Sequence, residues 1–107
     1  MVLLRQQIGD VLRDFRMRRG DTLRKVAGSA SVAPGYLSEL ERGQKEASSE
    51  VLASIADALE VNLSEVINEA GQRLALSEAL TVSFDESVMS VTDFKEFSGR
   101  FVERELV

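Results

Sequence analysis

A chain of 107 residues has room for one small domain, and 44% hydrophobic with 29% charged residues is the balance of a folded protein, not a disordered one. The absence of cysteine and histidine excludes a disulfide frame, thiolate or imidazole metal sites and nucleophilic catalysis by either residue. The net charge of −5 conceals a division: residues 1–45 carry nine Lys/Arg against five Asp/Glu, and residues 46–107 carry four against thirteen, so the first half attracts polyanions while the second repels them.

In chain order, Leu4, Ile8, Val11, Leu12 and Phe15 fall on one helical stripe that Gly20 stops. Thr22 is placed to cap a short second helix, TLRKVAGSA, with Leu23, Val26 and Ala27 inward. Gly28 to Ser31 has turn chemistry. Pro34 then opens a third helix, running to about Arg42 with Leu37 and Leu40 inward, and Gly43 ends it. Ser48 or Ser49 caps a fourth helix with the stripe Val51, Leu52, Ile55, Ala56 and Leu59. Asn62 and Glu65 read as a capping pair for a fifth, carried by Val66 and Ile67 toward about Leu76.

Past Ala79 the segment TVSFDESVM has no helical stripe and reads as a linker or short extended stretch. A stripe returns at Phe94, Phe97, Phe101 and Val102, an aromatic face that must be buried somewhere. It either joins two copies or folds back on its own domain, and dimerisation is the expectation. The organisation is therefore all-α: a five-helix domain over residues 1–78, a linker over 79–91 and a C-terminal amphipathic dimerisation helix over 92–107.

The second helix, the tight turn and the third helix make a helix-turn-helix, in which the second member enters the DNA major groove. Ala27 is the small residue needed where the two helices nearly touch. Leu37 and Leu40 hold the third helix from behind, which leaves Pro34, Gly35, Ser38, Glu39 and Arg42 facing away from the core and Tyr36 at the rim. Arginine grips guanine O6 and N7 together, and glutamate accepts from the cytosine amino group, so Arg42 with Glu39 favours G·C pairs.

Residues 3–70, above all TLRKVA, YLSELERG and VLASIADALEVNLSEV, resemble the lambda-repressor-like (Cro/cI, XRE) helix-turn-helix domain, and within it the actinobacterial ClgR-type activators of Clp protease genes. The resemblance implies a buried structural ion pair between Arg16 and Glu41. It implies DNA contacts from Pro34, Gly35, Tyr36, Ser38, Glu39 and Arg42, with Gln44 and Lys45 along the DNA backbone. Thr22 stands where the family's second helix begins, but Leu23 replaces the usual glutamine, so phosphate contact there passes to Arg24 or Lys25. Ser31 replaces a glycine of left-handed conformation, at a cost of about 1 kcal/mol. Ala33 replaces a capping serine, and Ala47 a proline.

These features imply a transcription regulator of protease and stress genes, acting as a homodimer on a pseudo-palindromic, G·C-rich site in double-stranded DNA. RNA polymerase is the further partner of an activator. A Clp-type protease acting on the chain is suggested by its apolar ending Leu106, Val107. No polar constellation suggests a reaction, and no cofactor or metal is expected. No apolar run approaches the ~18 residues of a membrane span and the N-terminus lacks a secretory layout, so the expected address is the cytoplasm, with no membrane partner. The alternative is a helix-turn-helix interaction module, bridging or antitoxin-like, whose overall acidity directs it to a basic protein.

Overall fold

The computed structural model describes residues 3–83, and among them are five helices and no strand: α1 (Leu4–Arg19), α2 (Leu23–Ser29), α3 (Pro34–Glu41), α4 (Ser49–Ala58) and α5 (Leu63–Ser83). None of these helices is long and apolar enough to cross a membrane. A first unit runs to Leu74; a second begins at Ala75, and its described part is the last stretch of α5.

Short connections are possible because α1 to α4 all end the same way. After each helix one residue adopts the left-handed conformation: Gly20 (φ 72°), Ser31 (φ 58°), Gly43 (φ 72°) and Glu60 (φ 59°). The next amide then donates back five residues, Asp21 to Arg16, Val32 to Ala27, Gln44 to Glu39 and Val61 to Ala56, at 2.9 to 3.2 Å. This Schellman closure satisfies carbonyls that a helix end would otherwise leave open, and it reverses the chain within a few residues. Helix starts are handled by side chains where the sequence supplies them. The Thr22 hydroxyl accepts from the Lys25 amide at 3.1 Å, and the Ser48 hydroxyl from Val51 at 3.2 Å. Ala33 offers no such cap, and Pro34 opens α3 without a donor to satisfy.

The helices of the first unit close on one core: Val11 and Leu12 of α1, Val26 and Ala27 of α2, Leu37 and Leu40 of α3, Leu52, Ile55 and Ala56 of α4, and Val66 and Ala70 of α5. Each of the large members contributes about 1.5–3 kcal/mol by leaving water. Ala27 is fully buried. One close approach sets the geometry at Gly9, and the stripe of α1 does not announce it: a methyl group there would overlap the Leu40 carbonyl and come within 2.8 Å of the Glu41 carbonyl oxygen, so only glycine lets α1 lie against the end of α3.

Three sequence expectations are corrected. Leu4, assigned to the inward stripe, is 50% exposed, and with Ile8, Leu12, Leu40, Ala47 and Leu52 it lines a cavity of about 200 Å³ that opens to solvent. Ile67 is 45% exposed, since the buried line of α5 runs through Val66 and Ala70 and Ile67 lies about 100° around the helix from it. Finally, α5 continues past Leu76 to Ser83, so residues 79–83, assigned to the linker, are helical. Leu76, Glu78, Ala79 and Leu80 are good helix formers, and β-branched Thr81 and Val82 cost little when added to a helix already nucleated. The rest of the expected linker, and the stripe Phe94, Phe97, Phe101 and Val102, lie outside the described residues.

Candidate nucleic-acid interface

The candidate site is built from α3 outward. Leu37 and Leu40 are buried in the core, and Glu41 completes the inner side as a buried charge. Arg16 meets it from α1: Nε donates to Glu41 Oε2 at 2.7 Å and Nη2 to Oε1 at 2.9 Å, while Nη1 donates to the Asp21 carbonyl at 3.1 Å. The hydrogen bonds that Glu41 accepts, and secondarily its charge, hold the Arg16 guanidinium above its ordinary range despite desolvation. A two-pronged pair of this kind fixes α3 in rotation as well as position.

With its inner side committed, α3 leaves Pro34, Gly35 and, at its C-cap, Arg42 exposed, with Ser38 and Glu39 half-exposed between them. These five positions lie along one edge. Tyr36 is half-buried at the rim, and its hydroxyl donates to the Glu46 carbonyl at 2.9 Å, tying α3 to the loop that follows it. Gln44 and Lys45 on that loop are exposed, and Lys45 Nζ lies 3.8 Å from Glu39 Oε2. The structure therefore brings Glu39 and Lys45 together across the end of the helix.

The start of α2 is arranged differently. Thr22 spends its hydroxyl oxygen on the helix cap. Lys25 reaches back to Asp21 at 3.0 Å, and Arg24 beside it is exposed. Asp21 is also held by Arg19 at 2.8 Å, and Arg19 in turn reaches Glu60 at 2.7 Å. The hydrogen bond from Arg19, then that from Lys25, holds the Asp21 carboxyl below its ordinary range. Arg18, the other cation at the end of α1, lies over the Phe15 ring at 5.5 Å from its centroid.

Sequence reasoning passed over Arg5 beside the site, and Glu60 and Arg73 elsewhere in the domain. Arg5 Nε donates to the Gly43 carbonyl at 3.0 Å and its guanidinium lies 3.7 Å from Glu46, so α1 also braces the loop after α3. Glu60 takes a left-handed backbone with no glycine or asparagine to signal it. Arg73 of α5 reaches Asp14 of α1 at 2.6 Å, a pairing across 59 residues that no local pattern reveals.

A short helix locked from behind by two leucines and an ion pair, and presented outward after a tight turn from its predecessor, defines a helix-turn-helix protein of the lambda-repressor-like fold. The model of the helix-turn-helix domain family matches residues 7–66. The transcriptional regulator ClgR of Mycobacterium tuberculosis is 55% identical over 78 residues, covering 73% of this chain and 70% of its own length. The crystal structure of the clp gene regulator ClgR from Corynebacterium glutamicum superposes with a TM-score of 0.67 at 51% identity, over 71% of this chain and 99% of that one. The restriction-modification controller protein C.AhdI from Aeromonas hydrophila is similar at a TM-score of 0.57 and 26% identity, over 58% of this chain and 94% of its own. The chain belongs to the helix-turn-helix family, among the transcriptional regulators of the ClgR type, and is a DNA-binding regulator.

Proposed function

We propose that this regulator activates protease and stress genes by binding, as a homodimer, a G·C-rich pseudo-palindrome with α3 in the major groove. The observation that carries the reading is the outward edge of α3, where Glu39 and Arg42 stand one turn apart while Leu37, Leu40 and Glu41 hold the opposite side. Arg42 is the guanine reader and Glu39 the cytosine reader. Arg24, Gln44 and the backbone amides at the start of α3 supply phosphate contacts that set register. Pro34 and Gly35 let the chain approach the groove closely.

One module spans about half a turn of duplex; two related by symmetry reach half-sites ~34–36 Å apart and gain occupancy by acting together. Phe94, Phe97, Phe101 and Val102 supply the apolar surface for that pairing. Activation requires RNA polymerase as a partner, and a Clp-type protease would set the level of the chain itself. A regulator of chromosomal promoters works in the cytoplasm.

The test is selection of preferred sequences from random duplexes with the full chain, followed by binding at rising salt. The expected outcome is a G·C-rich inverted repeat whose affinity falls steeply with salt, since every neutralised phosphate releases counterions. Weak, salt-insensitive binding without sequence preference would favour an interaction module directed at a basic protein.

A further inference from the structure

Glu39 raises a physical problem for a DNA reader. Duplex DNA carries one phosphate charge per ~1.7 Å of axis, so a bare carboxylate carried into the groove is repelled before it can accept a hydrogen bond from a base. Lys45 answers it: its ammonium lies 3.8 Å from the Glu39 carboxylate.

That position is built, not incidental to a loose loop. Gly43 reverses the chain with φ at 72°, and a side chain there would also collide with Gln6, 2.7 Å from its Cγ. The Gln44 amide donates to the Glu39 carbonyl at 2.9 Å, which folds the next residue back over α3. Arg5 holds the Gly43 carbonyl, and Tyr36 holds the carbonyl of Glu46. Lys45 is thus bracketed on both sides by anchored backbone.

We infer that Lys45 is a specificity-determining positioning residue that acts through Glu39, shielding its carboxylate from the phosphates and holding it toward the groove so that it reads a cytosine amino group. The inference rests on α3 being the recognition helix. It separates Lys45 from an ordinary phosphate anchor: an anchor strengthens binding to every sequence alike, whereas a residue acting through Glu39 strengthens binding only where Glu39 has its base.

The experiment uses the full chain and the duplex obtained by random-sequence selection, paired with a duplex in which the G·C pair dependent on Glu39 is changed to A·T. Binding to both is measured at one salt concentration for the unmodified protein, Lys45→Ala, Lys45→Arg, Glu39→Gln and the double variant Glu39→Gln/Lys45→Ala. Lys45→Ala is expected to reduce the preference between the two duplexes about tenfold, and Lys45→Arg to restore it to within about threefold. In the Glu39→Gln background the alanine substitution should change the preference less than about twofold. Equal losses on both duplexes, the same size with and without Glu39, would make Lys45 a phosphate anchor and overturn the inference while leaving α3 as the reader. A selected site whose preference is indifferent to Glu39→Gln would also overturn it. Failure of the unmodified chain to select any sequence would remove the recognition reading itself, and this inference with it.

Discussion

Arg16 of α1 and Glu41 of α3 form a two-pronged ion pair at 2.7 and 2.9 Å, with the Glu41 side chain only 6% exposed and that of Arg16 16%. The pair joins the first helix to the back of the helix proposed to read DNA. Removing one partner strands the other charge in the interior, so Glu41→Ala is expected to cost about 3–5 kcal/mol in urea unfolding. The double variant Arg16→Met/Glu41→Leu should recover much of that loss, because it strands no charge. A cost under about 1 kcal/mol for Glu41→Ala would show that α3 is held by its leucines alone.

Gly9 and Gly71 make opposite predictions from the same substitution. Both lie within helices, where alanine is intrinsically favoured by about 1 kcal/mol. At Gly71 the added methyl meets nothing within 4 Å, and Gly71→Ala should stabilise by about that amount. At Gly9 it meets the backbone carbonyls that end α3, and Gly9→Ala should destabilise by about 1–3 kcal/mol through overpacking. Thermal unfolding of the two variants checks the pair.

Ser31 carries the left-handed turn between α2 and α3 without glycine's freedom. Ser31→Gly should raise stability by about 0.5–1 kcal/mol, the relief of strain exceeding the extra entropy of the unfolded chain. Denaturant midpoints at constant slope would register the change.

Asp21 supplies the pH dependence. Its carboxyl is held low by Arg19 and then Lys25. The folded form therefore gains stability that is fully present above the ordinary aspartate value of ~3.9 and disappears as pH falls through the lowered folded value. Asp21→Asn should flatten the acid side of the stability profile below about pH 4 and leave its slope near neutrality unchanged. An unchanged acid limb in unfolding experiments from pH 2 to 7 would count against this role for the cluster.

Much of this architecture was legible in the sequence because it is local. Thr22, Pro34, Gly43 and Ser48 mark helix ends through their own backbone and side-chain chemistry, and Leu37 and Leu40 repeat at helical spacing. Gly9 was silent because its reason lies thirty residues away, in the carbonyls of Leu40 and Glu41. Arg5 and Arg73 look like any solvated cation until the fold brings Gly43 and Asp14 to them. Glu60 hid a left-handed residue because the return bond from Val61 to Ala56, not side-chain preference, dictates that turn. The continuation of α5 was missed where β-branched Thr81 and Val82 outweighed the helix formers before them.

The most direct test of α3 as the reader is the Glu39→Ala/Arg42→Ala variant assayed on the selected operator beside the unmodified chain. Both side chains lie on the outward edge, so the variant should fold with its unfolding midpoint little changed. Its affinity for the operator should fall by about 10- to 100-fold, with non-specific binding altered far less. Operator affinity equal to that of the unmodified protein would contradict the account at its centre.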